Sequence, residues 1–433
     1  MSIVMKFGGT SVKDANMIDK TTKIIISNIT KKPIVVLSAV SGTTDLLIKS
    51  IEDIDNQAKY FNQIEKTHKQ ILKELNFDEK LLELEFTELK GFLVTKPNNT
   101  NKDRDYVSFF GERLSTKIVA KYLEQKGYPA RPLISGDIGL ITNDNYTDAE
   151  ILETSYDEIK EHLSKVKEIP VITGFGGKDK NGYFTTFSRG GSDYVASLIG
   201  KAIMAKEIQI WTDVNGILTA DPRIIPNSQK IEKVSFEEAA ELAYFGAKVL
   251  HPKTIRPAIK MEIPVKILNT FEPQNTGTTI VKGNQGSNFI ALTSKKNITI
   301  IQVQSVRMLE VHGFVLRIFQ VFNKYKVSVD MITTSEINVS ITIEDVGHLD
   351  EIVKELEEFS RVKVFKDNTI LCLVGRKGKS IQHHLSEIFE VLHKQNIDVK
   401  MISQSTNEIS VGVVISQQDT KRALEVLHKK LIC

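Results

Sequence analysis

Two glycine-rich strings concentrate the residues that can do chemistry. Lys6-Phe7-Gly8-Gly9-Thr10-Ser11 and Ser188-Arg189-Gly190-Gly191-Ser192-Asp193 each set a glycine pair beside one cation and small hydroxyls, and the second string ends in a carboxylate. Glycine lets backbone N–H groups close on an anion and takes positive φ where a turn demands it. A lysine beside one such loop neutralises charge growing on a transferred phosphoryl group, and an aspartate beside another holds Mg²⁺ or orients the site. The pattern reads as a small-molecule kinase. The chain carries neither GxxxxGK[ST] nor the HRD and DFG strings, so P-loop and protein-kinase readings fail.

The elements that must position these loops are short apolar runs. Ile3–Phe7, Ile34–Leu37, Pro170–Thr173, Ile208–Trp211 and Pro264–Leu268 read as strands. Several are apolar on both faces, as in a mainly parallel sheet covered by helices on either side, and three run straight into a glycine-rich or Thr-Asp turn. In open α/β sheets, ligands collect at the carboxyl ends of strands. Residues 47–92 read as a charged helical lobe, Asn181-Gly182 as a hairpin turn, and Ser235-Phe236-Glu237-Glu238 as a capping box for a helix that Gly246 ends.

From about residue 290 the character changes, after a polar, glycine-bearing stretch at 274–288. An internal repeat follows with an offset of 70 residues: Val327, Val329, Met331, Ile332 and Ser335 are matched by Ile397, Val399, Met401, Ile402 and Ser405. Each copy reads strand, helix, strand, strand, helix, the start of a βαββαβ unit. Arg361–Phe365 completes the first copy, whereas the second ends in a helix near 418–430 and lacks its last strand. The expectation is that Ile298–Val303 supplies it, with the first unit inserted into the second.

The bulk numbers bound the function. A chain of 433 residues has room for two or three domains, and 41% hydrophobic with 26% charged residues is ordinary for a globular protein. A net charge of +3, spread over 57 basic and 54 acidic residues with no basic arm, gives no support for nucleic-acid binding. No apolar run is long enough to span a membrane. Cys372 and Cys433, with no CxxC, fit free thiols in a reducing compartment. The first residues already form the phosphate-loop strand, so a cytoplasmic protein without signal peptide is expected.

With both halves in view, the chain resembles the aspartokinases of the amino-acid-kinase family followed by two ACT regulatory repeats. The resemblance rests on six strings in order: Lys6–Val12, Phe110-Gly111-Glu112, Arg189–Asp193, Trp211–Gly216, Asp221-Pro222-Arg223 and Phe245–Pro252. It implies an α/β fold, a three-layer αβα sandwich around a central eight-stranded, mainly parallel sheet, with two ferredoxin-like ACT domains after it. The boundaries read as 1–285 for the kinase, 305–367 for the first ACT domain, and 296–304 plus 368–433 for the second. The implied reaction is ATP-dependent phosphorylation of the L-aspartate side-chain carboxylate.

The resemblance also distributes roles. Lys6 takes the transition-state charge beside the Gly8 and Gly9 amides, and Asp193 positions that lysine or contributes to Mg²⁺ binding; the plain alternative is an N-cap of the helix that follows. Arg189 and Glu112 suit the zwitterion of the amino acid, with Thr44, Gly190, Gly191 and Ser192 around it, unless Glu112 and Arg189 only pair with each other. Thr212, Asp213, Leu218, Arg223, Lys248 and Val249 correspond to nucleotide contacts, Leu218 standing where relatives often carry tyrosine. His251 reads as a structural hydrogen-bonding residue. In the first repeat, Met308, Gly313, Phe314, Val315, Ser328, Val329, Asp330, Thr334, Ser335 and Glu336 resemble a lysine-sensing site, with Glu310 as a departure. The second repeat has Lys400 and Thr406 at the positions of the two acids, so one effector is expected, at the first repeat. A homodimer through the ACT domains, or a tetramer, is the implied assembly. Competing readings are an amino-acid kinase with another acceptor, such as glutamate, and a non-catalytic sensor.

Overall fold

The computed structural model describes residues 2–188, 190–246, 250–283, 289–304, 313–344, 346–377, 379–404, 406 and 409–432. The chain divides into two compact units. One comprises Met1–Ile217, Glu232–Phe236 and Val249–Gln285, and the other Leu218–Ile231, Glu237–Lys248 and Gly286–Cys433.

The first unit is built on an eight-stranded sheet. From edge to edge its strands are Ala130–Leu133, Ile169–Thr173, Pro33–Leu37, Ile3–Phe7, Ile208–Thr212, Val265–Asn269, Thr278–Val281 and Lys233–Ser235. Every pairing is parallel except that of Val265–Asn269 with Thr278–Val281. Ile3–Phe7, Pro33–Leu37 and Ile169–Thr173 are buried at every position, which matches their unbroken apolar character and a sheet covered on both faces. The three strands that sequence reading passes over, Ala130–Leu133, Thr278–Val281 and Lys233–Ser235, lie at or next to the edges, where short or polar runs suffice.

Register sets the functional edge. Phe7 pairs with Leu37 on one side and Trp211 on the other, so the turns that follow these three strands leave the sheet together. The 25-residue helix Asn101–Gln125 starts with a reciprocal Thr100–Asp103 capping box and carries Phe110-Gly111-Glu112. Gly111 is required there, because a Cβ would lie 2.6 Å from the Ala39 methyl. The expected hairpin forms between Gly176–Asp179 and Phe184–Thr186, with Gly182 at φ 83°.

The second unit holds a seven-stranded antiparallel sheet in which two long strands, Phe289–Gln304 and Arg361–Lys377, run side by side. It corrects the expected strand exchange. Residues 299–304 pair with Asn338–Ile343 and, from Ile300 on, with Arg361–Phe365, so they are the first strand of the first repeat. The strand that completes the second repeat is the preceding stretch: residues 289–295 pair with 370–376, and residues 368–374 of that strand pair with Ser410–Ser416. The 70-residue offset carried this signal, since it maps Thr299-Ile300-Ile301 onto Thr369-Ile370-Leu371. The first repeat is still flanked on both sides by pieces of the second. Residues 218–231 and 237–248, read as part of the kinase, also cluster with this unit.

The two long strands change partners at a bulge, where the register shifts between Lys295 and Ile300. Asn368 fastens it. Its amide nitrogen lies 3.3, 2.8 and 3.0 Å from the carbonyl oxygens of Ile298, Phe365 and Lys366, and its oxygen accepts from Lys400 at 2.6 Å. Truncating a buried side chain that satisfies several backbone carbonyls leaves their desolvation uncompensated. Asn368→Ala is expected to cost about 2 to 3 kcal/mol in urea denaturation.

Candidate active site

Lys6 and Asp193 meet at the carboxyl edge of the central sheet, Nζ to Oδ1, at 2.7 Å. Both side chains are nearly buried, 11% and 14% exposed. Lys6 is held by its strand, paired to Val36 and Ile210 on either side. Asp193 sits in the first turn of the helix Gly191–Ile203, but not as its cap: Gly190, at φ 84°, is the N-cap, and the Asp193 N–H donates to the Gly190 carbonyl. The capping alternative is therefore replaced by a third-position carboxylate free to reach Lys6. The opening N–H groups of such a helix have no intrahelical acceptor, and its dipole favours anions there.

The glycine pair of the first string divides its work. The Gly8 N–H donates to the Trp211 carbonyl at 3.1 Å, so this amide ties two strands together instead of facing an anion, contrary to expectation. A Cβ on Gly8 would stand 3.6 Å from the Lys6 ammonium. Gly9 lies so close to the next turn that a Cβ would come within 2.8 Å of the Ala39 carbonyl oxygen.

Beside this pair opens a cavity of about 280 Å³. It is lined by Gly9, Thr44, Glu112 and Ser192 from the expected set, together with Ser38, Ala39, Asp45 and Phe175. Thr44 faces the cavity, whereas its neighbour Thr43 is buried. Ser38 donates its hydroxyl to Ser192 at 2.9 Å. Glu112 is buried; one carboxylate oxygen accepts the Ala39 N–H at 3.1 Å and the other has no hydrogen-bond partner. Burial pushes its pKa up to about 8, against the opposing pull of the Ala39 N–H. An unpartnered oxygen on a buried acid is an address for a cation. Arg189 lies outside the described residues.

Sequence reasoning missed Ser38, Ala39 and Phe175, which sit in the turns just past the strands Pro33–Leu37 and Ile169–Thr173. It also missed Asp105, two turns before Glu112 on the same helix. Buried Asp105 accepts from the Thr186 N–H at 3.0 Å, the Thr186 hydroxyl at 2.5 Å and the Thr147 N–H at 3.0 Å. It thereby anchors the chain three residues before Arg189. No local signal marks it, since it sits in the charged run Lys102-Asp103-Arg104-Asp105.

Of the expected nucleotide residues, Thr212 ends the sheet strand Ile208–Thr212 in the first unit and Asp213 follows it, with the Thr212 hydroxyl on the Asp213 carboxylate at 3.1 Å. Leu218 and Arg223 belong to the second unit, and Arg223 is clamped by both oxygens of Asp221. Lys248 and Val249 lie outside the described residues. His251 accepts the Lys253 N–H at 3.3 Å and caps a short helical turn, which fits its structural reading.

In the first repeat, Gly313 caps the helix Phe314–Lys324 at φ 89°, Phe314 is buried and Val315 exposed. Ser328, Thr334, Ser335 and Glu336 are exposed and Val329 is half-buried. The Asp330 side chain is only 3% exposed and engages the chain's own Lys295 and Tyr244. Met308 and Glu310 lie outside the described residues. Among the described residues no group of three His, Cys, Asp or Glu could cage a metal ion, and no helix is long and apolar enough to cross a membrane.

Comparison with known proteins agrees with this arrangement along the whole chain. The model of the Amino acid kinase family matches residues 1–269, and that of the ACT domain matches residues 301–357 and 371–431. Aspartokinase 2, chloroplastic, of Arabidopsis thaliana is 36% identical over 99% of this chain and 84% of its own length. Lysine-sensitive aspartokinase 3 of Escherichia coli is 32% identical over 99% of both. The crystal structure of E. coli aspartokinase III in complex with aspartate and ADP matches all of both chains with a TM-score of 0.84 at 28% identity.

The raised pKa of Glu112 has a sign that stability can read. Its ordinary value is 4.5, and the folded chain without ligand holds the proton up to about 8. Between those values the native state binds more protons than the unfolded state, so this group's contribution falls as pH rises. Glu112→Gln is expected to flatten that loss, gaining on the parent by roughly 1 kcal/mol per pH unit across the window in denaturation curves from pH 5 to 8.

Proposed function

The chain belongs to the aspartokinases of the amino acid kinase family, and from that premise we propose how its residues carry phosphoryl transfer from ATP to the side-chain carboxylate of L-aspartate. The supporting observation is the buried Lys6–Asp193 pair, whose neighbour in sequence Ser192 lines a cavity together with Glu112, a buried acid with one unpartnered oxygen. The nucleophile is a carboxylate and is ionised at neutral pH, so no general base is required. What remains is to hold two anions in line and to screen their repulsion.

Lys6 supplies the mobile positive charge for the transferred group, and Asp193 keeps its ammonium aimed across the gap. The first-turn N–H groups of Gly191 and Ser192 face the phosphates. Glu112 receives the α-ammonium of aspartate and surrenders its proton as the cation arrives, while Arg189 takes the α-carboxylate in a bidentate grip. Thr44, Gly190 and Ser192 complete the acceptor pocket. Thr212, Asp213, Leu218, Arg223, Lys248 and Val249 serve the nucleotide, Leu218 by apolar packing alone. Magnesium characteristically binds through one or two carboxylates plus substrate phosphates, so Asp193 fits as a single ligand, and the ion when bound neutralises charge on the phosphates.

The paired repeats are read as a regulatory module for lysine, acting at the first repeat through Met308, Gly313, Phe314, Val315, Ser328–Asp330 and Thr334–Glu336. We assign the working protein to the cytoplasm, as a homodimer through its ACT domains.

Two outcomes check these assignments. ADP release with Mg²⁺-ATP should depend on L-aspartate, and Lys6→Met should lower kcat by at least a hundredfold with a near-normal thermal melt; retention of a tenth of the activity would remove Lys6 from its role. Millimolar lysine should suppress turnover, and Glu336→Ala should raise the half-inhibiting concentration about tenfold. An unchanged response would clear Glu336 of the effector site.

A further inference from the structure

The acid expected to receive a cationic effector is already holding a cation from its own chain. Asp330 Oδ1 takes the Lys295 ammonium at 2.6 Å and the Tyr244 hydroxyl at 3.0 Å, while Oδ2 is buried with no hydrogen-bond partner. Lys295 also reaches Glu344 at 3.0 Å and lies 5.3 Å from the Tyr244 ring centroid. Its side chain is 17% exposed, against 3% for that of Asp330. Burial opposes the lysine's charge, yet Asp330 and then Glu344 outweigh it and raise its pKa.

The neighbourhood explains why the occupant matters. Tyr244 ends the helix Phe236–Tyr244, and the turn behind it is seated on the long strand Phe289–Gln304. Thr293 donates its hydroxyl to the Phe245 carbonyl at 2.8 Å. Gly246, at φ 125°, passes so close that a Cβ would lie 2.6 Å from the Ser294 carbonyl oxygen. Two residues further along the chain is Lys248. One carboxylate thus grips both the strand's lysine and the end of the helix that leads toward the nucleotide segment.

We propose that Lys295 is a tethered occupant of the effector site, competing with free L-lysine for the Asp330 carboxylate and so setting the concentration at which the effector binds. The competition is between like chemistries, since both ligands present a primary ammonium on a four-carbon stem. A free lysine that takes Asp330 displaces Lys295 toward Glu344, which is 61% exposed and leaves the displaced charge a solvated partner. The Tyr244 hydroxyl donates to the same Oδ1 and so competes with the incoming ammonium for it. This inference rests on the reading of Asp330 as an effector residue and adds to it a competitor within the chain.

The test is titration calorimetry of L-lysine against the full-length protein and its Lys295→Met, Lys295→Arg, Tyr244→Phe and Asp330→Ala variants. Lys295→Met is expected to lower the dissociation constant at least tenfold and Tyr244→Phe about threefold, while Lys295→Arg stays within about twofold of the parent. Tyr244 is partly exposed, so its variant keeps the question open to measurement should Lys295→Met fail to fold. Binding by Lys295→Met where the parent shows none would support a masked site. If Asp330→Ala abolishes binding while Lys295→Met and Tyr244→Phe match the parent, the tethered occupant is wrong and the effector reading survives. No binding by any of these proteins at ten-millimolar lysine would overturn both.

Discussion

The meeting of Lys6 with Asp193 is the constraint on which the catalytic unit depends. Taking two opposite charges out of water is costly, and the loss is recovered only where their geometry is close and held by the surroundings. Here the lysine belongs to a central strand with partners on both sides, and the aspartate to the first turn of a helix begun 185 or so positions later in the chain. The strand fixes one charge, the helix start fixes the other, and glycine makes the approach possible. Gly190 turns at positive φ, and a Cβ on Gly191 would stand 2.9 Å from the Phe175 ring. A pair assembled in this way is oriented before any phosphate arrives, which is what preorganised electrostatic stabilisation needs.

A single helix links that pair to the proposed acceptor pocket. Asn101–Gln125 carries Asp105 and Glu112 two turns apart, both buried and both with raised pKa, but with different surroundings. Asp105 accepts three hydrogen bonds and stays near 6, whereas Glu112 accepts one from Ala39 and is driven to about 8. The satisfied acid is a structural anchor for the Thr186 end of the loop. The starved one stores an unmet demand for a cation, which under the proposed reading the ammonium of the amino acid meets. Reading the two by their partners, more than by their residue type, separates framework from site.

How much of this was legible in the sequence depends on whether the signal was local. Lys6-Phe7-Gly8-Gly9 and Arg189-Gly190-Gly191-Ser192-Asp193 announce themselves, because glycine next to charge has few other uses. The buried strands announce themselves too, through unbroken apolar runs. Ala130-Arg131-Pro132-Leu133 does not: two of its residues are exposed, and edge position rather than composition makes it a strand. The diversion of the Gly8 amide to Trp211 and the choice of Gly190 over Asp193 as cap depend on distances between distant segments, which no spacing encodes. The misassigned strand 298–303 failed for a related reason. Residues 289–304 form one continuous run, and only the bulge near Lys295–Ile300 divides it between two partners.

The two repeats show how a duplicated frame separates sensing from support. Asp330 and Lys400 occupy equivalent places, and each backbone N–H bonds the neighbouring strand in the same way, to the carbonyls of Thr342 at 2.9 Å and Val414 at 2.8 Å. Each side chain then reaches back toward the bulge of the long strands, Asp330 to Lys295 and Lys400 to the Asn368 amide oxygen. The frame is shared and the charge is inverted. A cationic ligand can replace Lys295 on a carboxylate, but it has nothing to gain from a lysine that is itself a donor. Under the proposed reading, the repeat that kept its acid is the one able to respond, and the repeat that exchanged it for Lys400 is committed to holding the bulge. The asymmetry follows from the sign of one side chain at a conserved backbone position within an internal repeat, with no difference of fold required.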